Sequence, residues 1–369
     1  MNKKVITLIN GYELEKRNSM NIYLSNLYSS LITINIVDNI FIHKLNNPHF
    51  HKRKFFYIFQ KYFLLPIKLM RFKTDIIHIV DHTYSHIIKY FWKTKIIITV
   101  HDIIPILSYN NKIKGLTYPH NPLLFKFSIK YIKKADAIIT VSECTKKDII
   151  EIYKINPKKI HVIHPGIDDS FKLIETELQE KIIKKFNLQF PKINKFILLS
   201  GSTDYKNHKI ALQVIRKFID HFNINIYFIL TGKLNINVLN IINSYNLDNH
   251  YIHIESISNA EMPYLYNYVD CLFFPSLYEG FGFPILESMA CGTPVLTSNA
   301  GSIPEIAADA AIMHNPLSID DFCNSLFKIL YDNETSCDLI KKGLSNSKKF
   351  SWLNTAEKTN FIYKNIFLI

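Results

Sequence analysis

Short apolar runs alternate along this chain with longer stretches in which apolar residues recur every three or four positions. In the first half the runs are Val5–Ile9, Ile76–Val80, Ile96–Val100, Ala137–Val141 and Ile160–Ile163. Helical periodicity follows at Asn18–Leu31, Tyr84–Trp92, Leu123–Lys134 and Thr145–Tyr153. The second half repeats the scheme, with runs at Phe196–Ser200, Ile226–Leu230, Tyr251–Ile254 and Cys271–Phe274 and helical stretches at His208–Phe222, Asn237–Tyr245 and Ala260–Tyr268. Strands that read as apolar throughout are buried on both faces, so this alternation predicts parallel sheets covered by helices, an α/β class. Residues 169–193 are polar and charged and read as a linker. The chain therefore divides into doubly wound domains over 1–168 and 194–351.

Length agrees, since 369 residues with 48% apolar side chains can fill two cores. No run reaches the roughly 18 uninterrupted apolar residues of a membrane span, and Met1–Ile9 reads as a first strand rather than a signal peptide. Five cysteines, Cys144, Cys271, Cys291, Cys323 and Cys337, are odd in number and lack metal-ligand spacing, which predicts reduced buried thiols, no zinc and a cytoplasmic protein.

Charge changes the picture once it is divided. Residues 1–165 hold 26 Lys/Arg against 10 Asp/Glu, whereas the remainder holds 18 against 21. The basic half calls for an anionic partner or carries a solvated lysine-rich face. No nucleic-acid-binding module is visible, so nucleic acid is not expected. His51–Lys73 mixes seven Lys/Arg with aromatic and aliphatic residues, the composition of a segment lying on lipid. Lys126, Lys130, Lys133 and Lys134 add a second basic stripe. An anionic membrane surface, at the inner face of the membrane, is the expected contact.

The densest chemistry lies in Phe273–Val295. A strand to Phe274, a loop over Pro275–Phe283 and a short helix from Pro284 to Cys291, closed by Gly292, place Glu279 on the loop and Glu287 one turn into the helix. The first amides of that helix lack internal partners and favour a phosphate, while Gly280 and Gly282 let a ligand reach the backbone. Carboxylates flanking a phosphate site repel it unless they serve something else. Vicinal sugar hydroxyls are such partners, so Glu279 can hold a transferred sugar and Glu287 a ribose.

The Glu279-x7-Glu287 pattern, with Gly-Phe-Gly-Phe-Pro between and Ser-Met-Ala-Cys-Gly-Thr-Pro-Val after, resembles the signature of family 4 retaining glycosyltransferases of the GT-B fold. The likeness is dense after about Ile97 and sparse before it, and the tail from Ser351 resembles the family's closing helices, which implies a C-terminal helix at about 352–369 packing back on the first domain. It implies two Rossmann-like domains facing a cleft and transfer of a sugar from a nucleoside-diphosphate sugar to a saccharide acceptor, lipid-linked in surface polysaccharide or glycoconjugate synthesis. Donor contacts carried over by the resemblance are Glu287, Gly280, Phe281, Gly282, Phe283, Ile285, Ser202 and Ile257. Lys206 matches the family's phosphate-binding lysine, although Ser202 stands where many members have arginine. His101, in Val-His-Asp-Ile-Ile-Pro, resembles the family's His-Asp motif and is expected near the transferred sugar, with Asp102 and Gly11 toward the acceptor. Asn10–Met20 holds one glycine where relatives often have two.

Charge built on the departing diphosphate is then met by Lys206 and helix amides. No Asp-x-Asp pair occurs, so neither metal nor cofactor is expected. Thr99–Pro105 and Val80–His86 look most like mannosyltransferase members, which makes GDP-mannose the first expectation and leaves UDP-linked and deoxysugar donors open. Sugar-nucleotide epimerisation, phosphorolysis and non-catalytic binding of an anionic ligand are the alternatives the fold admits.

Overall fold

Runs of β-branched and aromatic residues become the strands of two parallel sheets in the computed structural model, which describes residues 4–11, 18–34, 40–44, 58–71, 73–116, 122–174 and 195–368. One compact unit contains residues 1–112, 117–166 and 350–369; the other contains 113–116 and 167–349. Most of the expected linker, residues 175–194, lies outside the described residues.

In the first unit β1 (Lys4–Ile9), β2 (Ile40–Lys44), β3 (Ile76–Ile79), β4 (Lys95–Val100), β5 (Ala137–Thr140) and β6 (Ile160–Val162) lie in the order β2-β1-β3-β4-β5-β6. Every neighbouring pair is parallel. The order reverses between β1 and β3. β3 and β5 are buried at every position, as covered parallel strands require. The closing helix Trp352–Leu368 belongs to this unit. Tyr363 Oη lies 2.7 Å from Nδ1 of the fully buried His78, and Thr355 Oγ1 donates to the His164 carbonyl at 2.8 Å.

The second unit orders β7 (Lys195–Leu199), β8 (Ile226–Thr231), β9 (Tyr251–Ile254), β10 (Cys271–Phe274), β11 (Val295–Ser298) and β12 (Ile312–His314) as β12-β11-β10-β7-β8-β9, again all parallel. Its core gathers Phe218 from the His208–Phe222 helix, Phe228 and Phe273 from the sheet, and Phe322 from the Ile319–Tyr331 helix. The order reverses between β7 and β10, and such a reversal opens a crevice at the carboxyl ends of the two strands.

Several expectations are corrected. Tyr84–Trp92 forms a 3₁₀ helix, His82–Tyr90, rather than an α-helix, and Asp81 caps it by accepting from Thr83 N at 2.9 Å. Leu123–Lys134 breaks into an α-helix to Ile129 and a 3₁₀ turn at Ile132–Lys134. Only Cys271, Cys291 and Cys323 are buried thiols; Cys144 is half-buried and Cys337 exposed. β2 and β12 carry too short an apolar run to be read in advance, and β12 is a half-buried edge.

Candidate active site

The loops after β7 and β10 lie at the reversal in the second sheet, and both candidate charged groups stand on them. Gly201 takes φ +87° beyond β7, and a Cβ there would come within 3.0 Å of Lys206 Cε, so glycine makes room for the lysine stem. Lys206 ends a 3₁₀ turn, Asp204–Lys206, and its Nζ donates to Glu279 Oε1 at 2.8 Å. The ammonium also sits 4.2 Å from the Phe274 ring centre and 5.1 Å from that of Tyr205. Burial pulls its pKa down, but Glu279, Tyr205 and Glu287 outweigh that, so Lys206 is held charged above its usual range.

A third loop, after β11, fixes Glu279. Gly301 adopts φ +61°, and a Cβ on it would stand 2.6 Å from the Glu279 carbonyl oxygen and 2.8 Å from its amide nitrogen. Ser302 N donates to the same carbonyl at 3.1 Å. Its hydroxyl, 3.1 Å from the Glu279 carbonyl and 2.8 Å from that of Phe281, shares one proton between them. Asn207 ties the loop from below by donating to the Pro275 carbonyl at 3.0 Å. The backbone bearing Glu279 is thus set by contacts from both sides, which keeps its side chain oriented against Lys206.

Gly282, at φ +107°, turns the chain into the helix Phe283–Ala290, with Pro284 in its first turn. Glycine is needed there because an L side chain is strained at that angle. Gly280 and Phe281 are buried, the Phe281 and Phe283 rings meet at 5.0 Å, and Ile285 is buried beneath Gly282. Glu287 projects from the same helix and accepts from Tyr266 Oη at 2.8 Å. Part of its side-chain surface stays open to solvent, yet its carboxyl is packed closely enough that burial pushes it up to about 7, against the opposing pull of Tyr266 and Lys206 and with help from Asp168.

Ser202 and Ile257 sit further along the sheet edge. Ser202 is exposed, and a Cβ on Gly232, after β8, would meet its Oγ at 3.2 Å. His253 Nε2 donates to the Gly232 carbonyl at 2.7 Å, tying the loop after β8 to strand β9. Ile257 is half-buried beyond β9, two strands from β7 and so roughly 10 Å away, the reach of a nucleoside. Lys206, Glu279, Gly280, Phe281, Gly282, Ser202 and Ile257 fall in the segments that follow the carboxyl ends of strands in one sheet, and Phe283, Ile285 and Glu287 stand on the helix that the β10 loop enters. Tyr266, Gly301, Ser302, Gly201 and Asn207 join them without having been picked from sequence.

The remaining candidates belong to the first unit. His101 follows β4, nine-tenths buried, with Nε2 3.0 Å from the Val80 carbonyl, so that nitrogen carries the proton. Its ring meets the edge of Tyr23 at 4.9 Å. Asp102 accepts from Ile104 N at 3.0 Å and shapes the start of the helix Ile104–Tyr109. Gly11 is half-buried after β1, next to Asn10, whose amide donates to Asn21 Oδ1 at 2.5 Å. Residues 12–17 of that loop lie outside the described residues. Among the described residues no group of three or more His, Cys, Asp or Glu side chains could hold a metal ion.

Two parallel-sheet units, one with charged and glycine-rich loops at its strand reversal, define the GT-B glycosyltransferase architecture. Residues 30–171 match the family described as Glycosyltransferase Family 4, and residues 180–345 match Glycosyl transferases group 1; the chain belongs to these glycosyltransferases. The serotype-specific mannosyltransferase WbdA of Escherichia coli is 29% identical over 271 residues, covering 72% of this chain and 32% of WbdA. The chain thus spans about a third of the length of that relative. Sucrose-phosphate synthase from Thermosynechococcus elongatus superposes with a TM-score of 0.78 at 16% identity, covering 99% of this chain and 100% of that one. Anabaena HepE, solved with UDP and glucose, gives 0.75 at 15% identity, covering 98% and 100% respectively. At those identities the two structures speak for the fold.

Proposed function

We propose that the protein is a retaining glycosyltransferase that moves a sugar, mannose from GDP-mannose in the first instance, onto a saccharide acceptor in surface polysaccharide or glycoconjugate synthesis. The observation that carries this reading is the Lys206–Glu279 pair at the β7/β10 reversal, fixed by Gly201, Gly301 and Ser302 beside a glycine-turned helix start. Lys206 and the first amides of the Phe283–Ala290 helix take the diphosphate, Glu279 the transferred sugar and Glu287 the ribose. As the bond from the anomeric carbon to the phosphate oxygen breaks, negative charge grows on the diphosphate and Lys206 meets it. The acceptor hydroxyl then bonds to the same face of that carbon, and its proton passes to the departing phosphate oxygen. His101, Asp102 and Gly11 are assigned to the sugar and acceptor side. The cationic lysine and helix amides supply the stabilisation a metal would, which supports metal-independent transfer. HepE was solved with UDP and glucose, and WbdA is named a mannosyltransferase; nucleotide-sugar use and mannose come to this chain by that likeness. Product anomeric configuration, read by NMR after transfer from GDP-mannose, tests the assignment: an inverted product refutes retention, and turnover without a glycosidic product favours epimerisation or phosphorolysis.

The same reading places the basic unit on an anionic lipid surface at the cytoplasmic face, where a lipid-linked acceptor would lie. No helix among the described residues is long and apolar enough to cross a membrane. The helical stretch Gln60–Leu69 buries Leu65 and Leu69 together with Gln60 and Lys61, while Phe63, Leu64 and Ile67, with the flanking Phe59 and Met70, are 43–56% exposed. Tyr62 joins it to the Leu123–Ile129 helix through Ser128 Oγ at 2.6 Å and the Phe127 ring at 5.7 Å. Lys68, Arg71 and Lys130 are exposed around this apolar face. Lys52, Arg53 and Lys54 lie outside the described residues. Each basic group near an anionic surface adds about 1 kcal/mol, and the apolar face supplies the rest. Sedimentation with phosphatidylglycerol-containing vesicles but not neutral ones, lost in Phe63→Glu/Ile67→Glu, is expected; protein left in the supernatant at low salt refutes it.

A further inference from the structure

Tyr266 is fully buried on the helix Met262–Tyr268, yet its hydroxyl is aimed at one oxygen of the carboxyl assigned to the donor. The Phe171 ring packs edge-on against it at 6.0 Å, and Thr293 Oγ1 donates to its carbonyl at 2.6 Å, so both ring and backbone are fixed. Its hydroxyl has a second partner in Ser200, on the β7 side, and donates to Glu287 Oε2 at 2.8 Å. A buried phenol requires a partner, and here the partner is a site carboxyl rather than a backbone carbonyl.

Resting on the assignment of Glu287 to donor hydroxyls, we propose that Tyr266 is a positioning residue that holds Oε2 of Glu287, so that the donor's vicinal hydroxyls meet an oriented acceptor. The groups bearing on that carboxyl are Tyr266 and Lys206, which favour its charge, and Asp168, which opposes it, with the Cys291 thiol as a further neighbour. Burial opposes the charge most strongly and leaves the carboxyl titrating near neutrality, at about 7. A protonated carboxyl gives up the charge-assisted bond to a hydroxyl. Donor binding therefore carries the release of a proton and tightens as pH rises through neutrality. Deleting the phenol hydroxyl removes a hydrogen bond to the charged form, moves that threshold upward and weakens donor binding at pH 7.

The test measures the dissociation constants of GDP-mannose and UDP-glucose by calorimetry from pH 5.5 to 9 in the wild-type chain, Tyr266→Phe and Glu287→Gln. The phosphates of both donors are diesters and do not titrate in this range. For whichever donor binds, the wild type should show an inflection near pH 7. Tyr266→Phe should bind about fivefold more weakly at pH 7, from a threshold raised by about one unit, and approach the wild type by pH 9. Glu287→Gln should bind weakly with no inflection. Replacing Tyr266 by 3-fluorotyrosine, which keeps the packing and sharpens the donor, should move the inflection downward. Uniform weakening at every pH, or an unmoved inflection, overturns the role of Tyr266 while leaving Glu287 standing. Wild-type binding by Glu287→Gln overturns the Glu287 assignment and this proposal with it, as does failure of the wild type to bind either donor.

Discussion

Breaking the Lys206–Glu279 pair should damage stability and turnover together, in amounts the geometry sets. The two side chains keep 11% and 9% of their surface exposed at an Nζ–Oε1 separation of 2.8 Å. Removing one partner from a fully buried pair costs about 3–5 kcal/mol, because the other charge is left without compensation. Residual exposure lowers that, so Lys206→Ala should cost about 2–3 kcal/mol. Glu279→Ala should cost less, since the stranded ammonium keeps the Phe274 and Tyr205 rings, worth roughly 0.5–2 kcal/mol. The double variant then strands neither charge and should be more stable than the two single losses added, with a coupling of about 1–2 kcal/mol. Urea unfolding of the four proteins at pH 7.5 measures this. Turnover, followed as nucleoside diphosphate release, should fall about 10²–10³-fold or more in every variant, through loss of the leaving-group stabiliser in Lys206→Ala and of the group that positions the sugar in Glu279→Ala. Strictly additive stabilities, or turnover within threefold of wild type in Lys206→Ala, would refute the reasoning.

Other consequences follow from single contacts. Gly301→Ala must push the Glu279 backbone aside, and should lose about 10²-fold in kcat/KM with its circular dichroism spectrum unchanged; wild-type kinetics would show that the close approach is not functional. His78, His86 and His208 are held neutral, with burial lowering them to about 3, 4 and 4, so the unfolded chain binds more protons than the folded one below its ordinary value of 6.5. Stability should fall by several kcal/mol as pH drops from 6.5 toward 4, measured by urea midpoints, and His78→Gln should flatten that slope; an unchanged slope would locate acid sensitivity elsewhere. Excess EDTA should change turnover by less than twofold, whereas restoration of activity only by magnesium or manganese would contradict stabilisation by Lys206 and helix amides.

Sequence periodicity placed most strands because parallel strands buried on both faces read as unbroken apolar runs. It failed where burial is partial or the run short, as at β2 and β12, and where a buried stretch winds as 3₁₀, as at His82–Tyr90. Glu279 and Lys206 were legible because local spacing puts them on turns after strands, and Glu287 because it falls one turn into the helix that follows. Gly301 and Ser302 were not, since their service to Glu279 depends on β11 lying beside β10, a pairing between segments that local pattern does not carry. Tyr266 sits on a helix read in advance, but one tyrosine among several on a covering helix looks like core until its hydroxyl is seen against Glu287. The apolar face of Gln60–Leu69 was read as composition; that Lys61 turns inward and Phe63 outward required the fold.

The most direct test of the central claim is a screen of nucleoside-diphosphate sugars, among them GDP-mannose, UDP-glucose and UDP-N-acetylglucosamine, for donor cleavage by the wild-type chain and by Lys206→Ala. The account predicts release of a nucleoside diphosphate from at least one donor, with GDP-mannose fastest, and its collapse in the variant. Equal cleavage by both proteins would remove Lys206 from the chemistry, and absence of both binding and cleavage across the panel would contradict the assignment of this site to a nucleotide sugar.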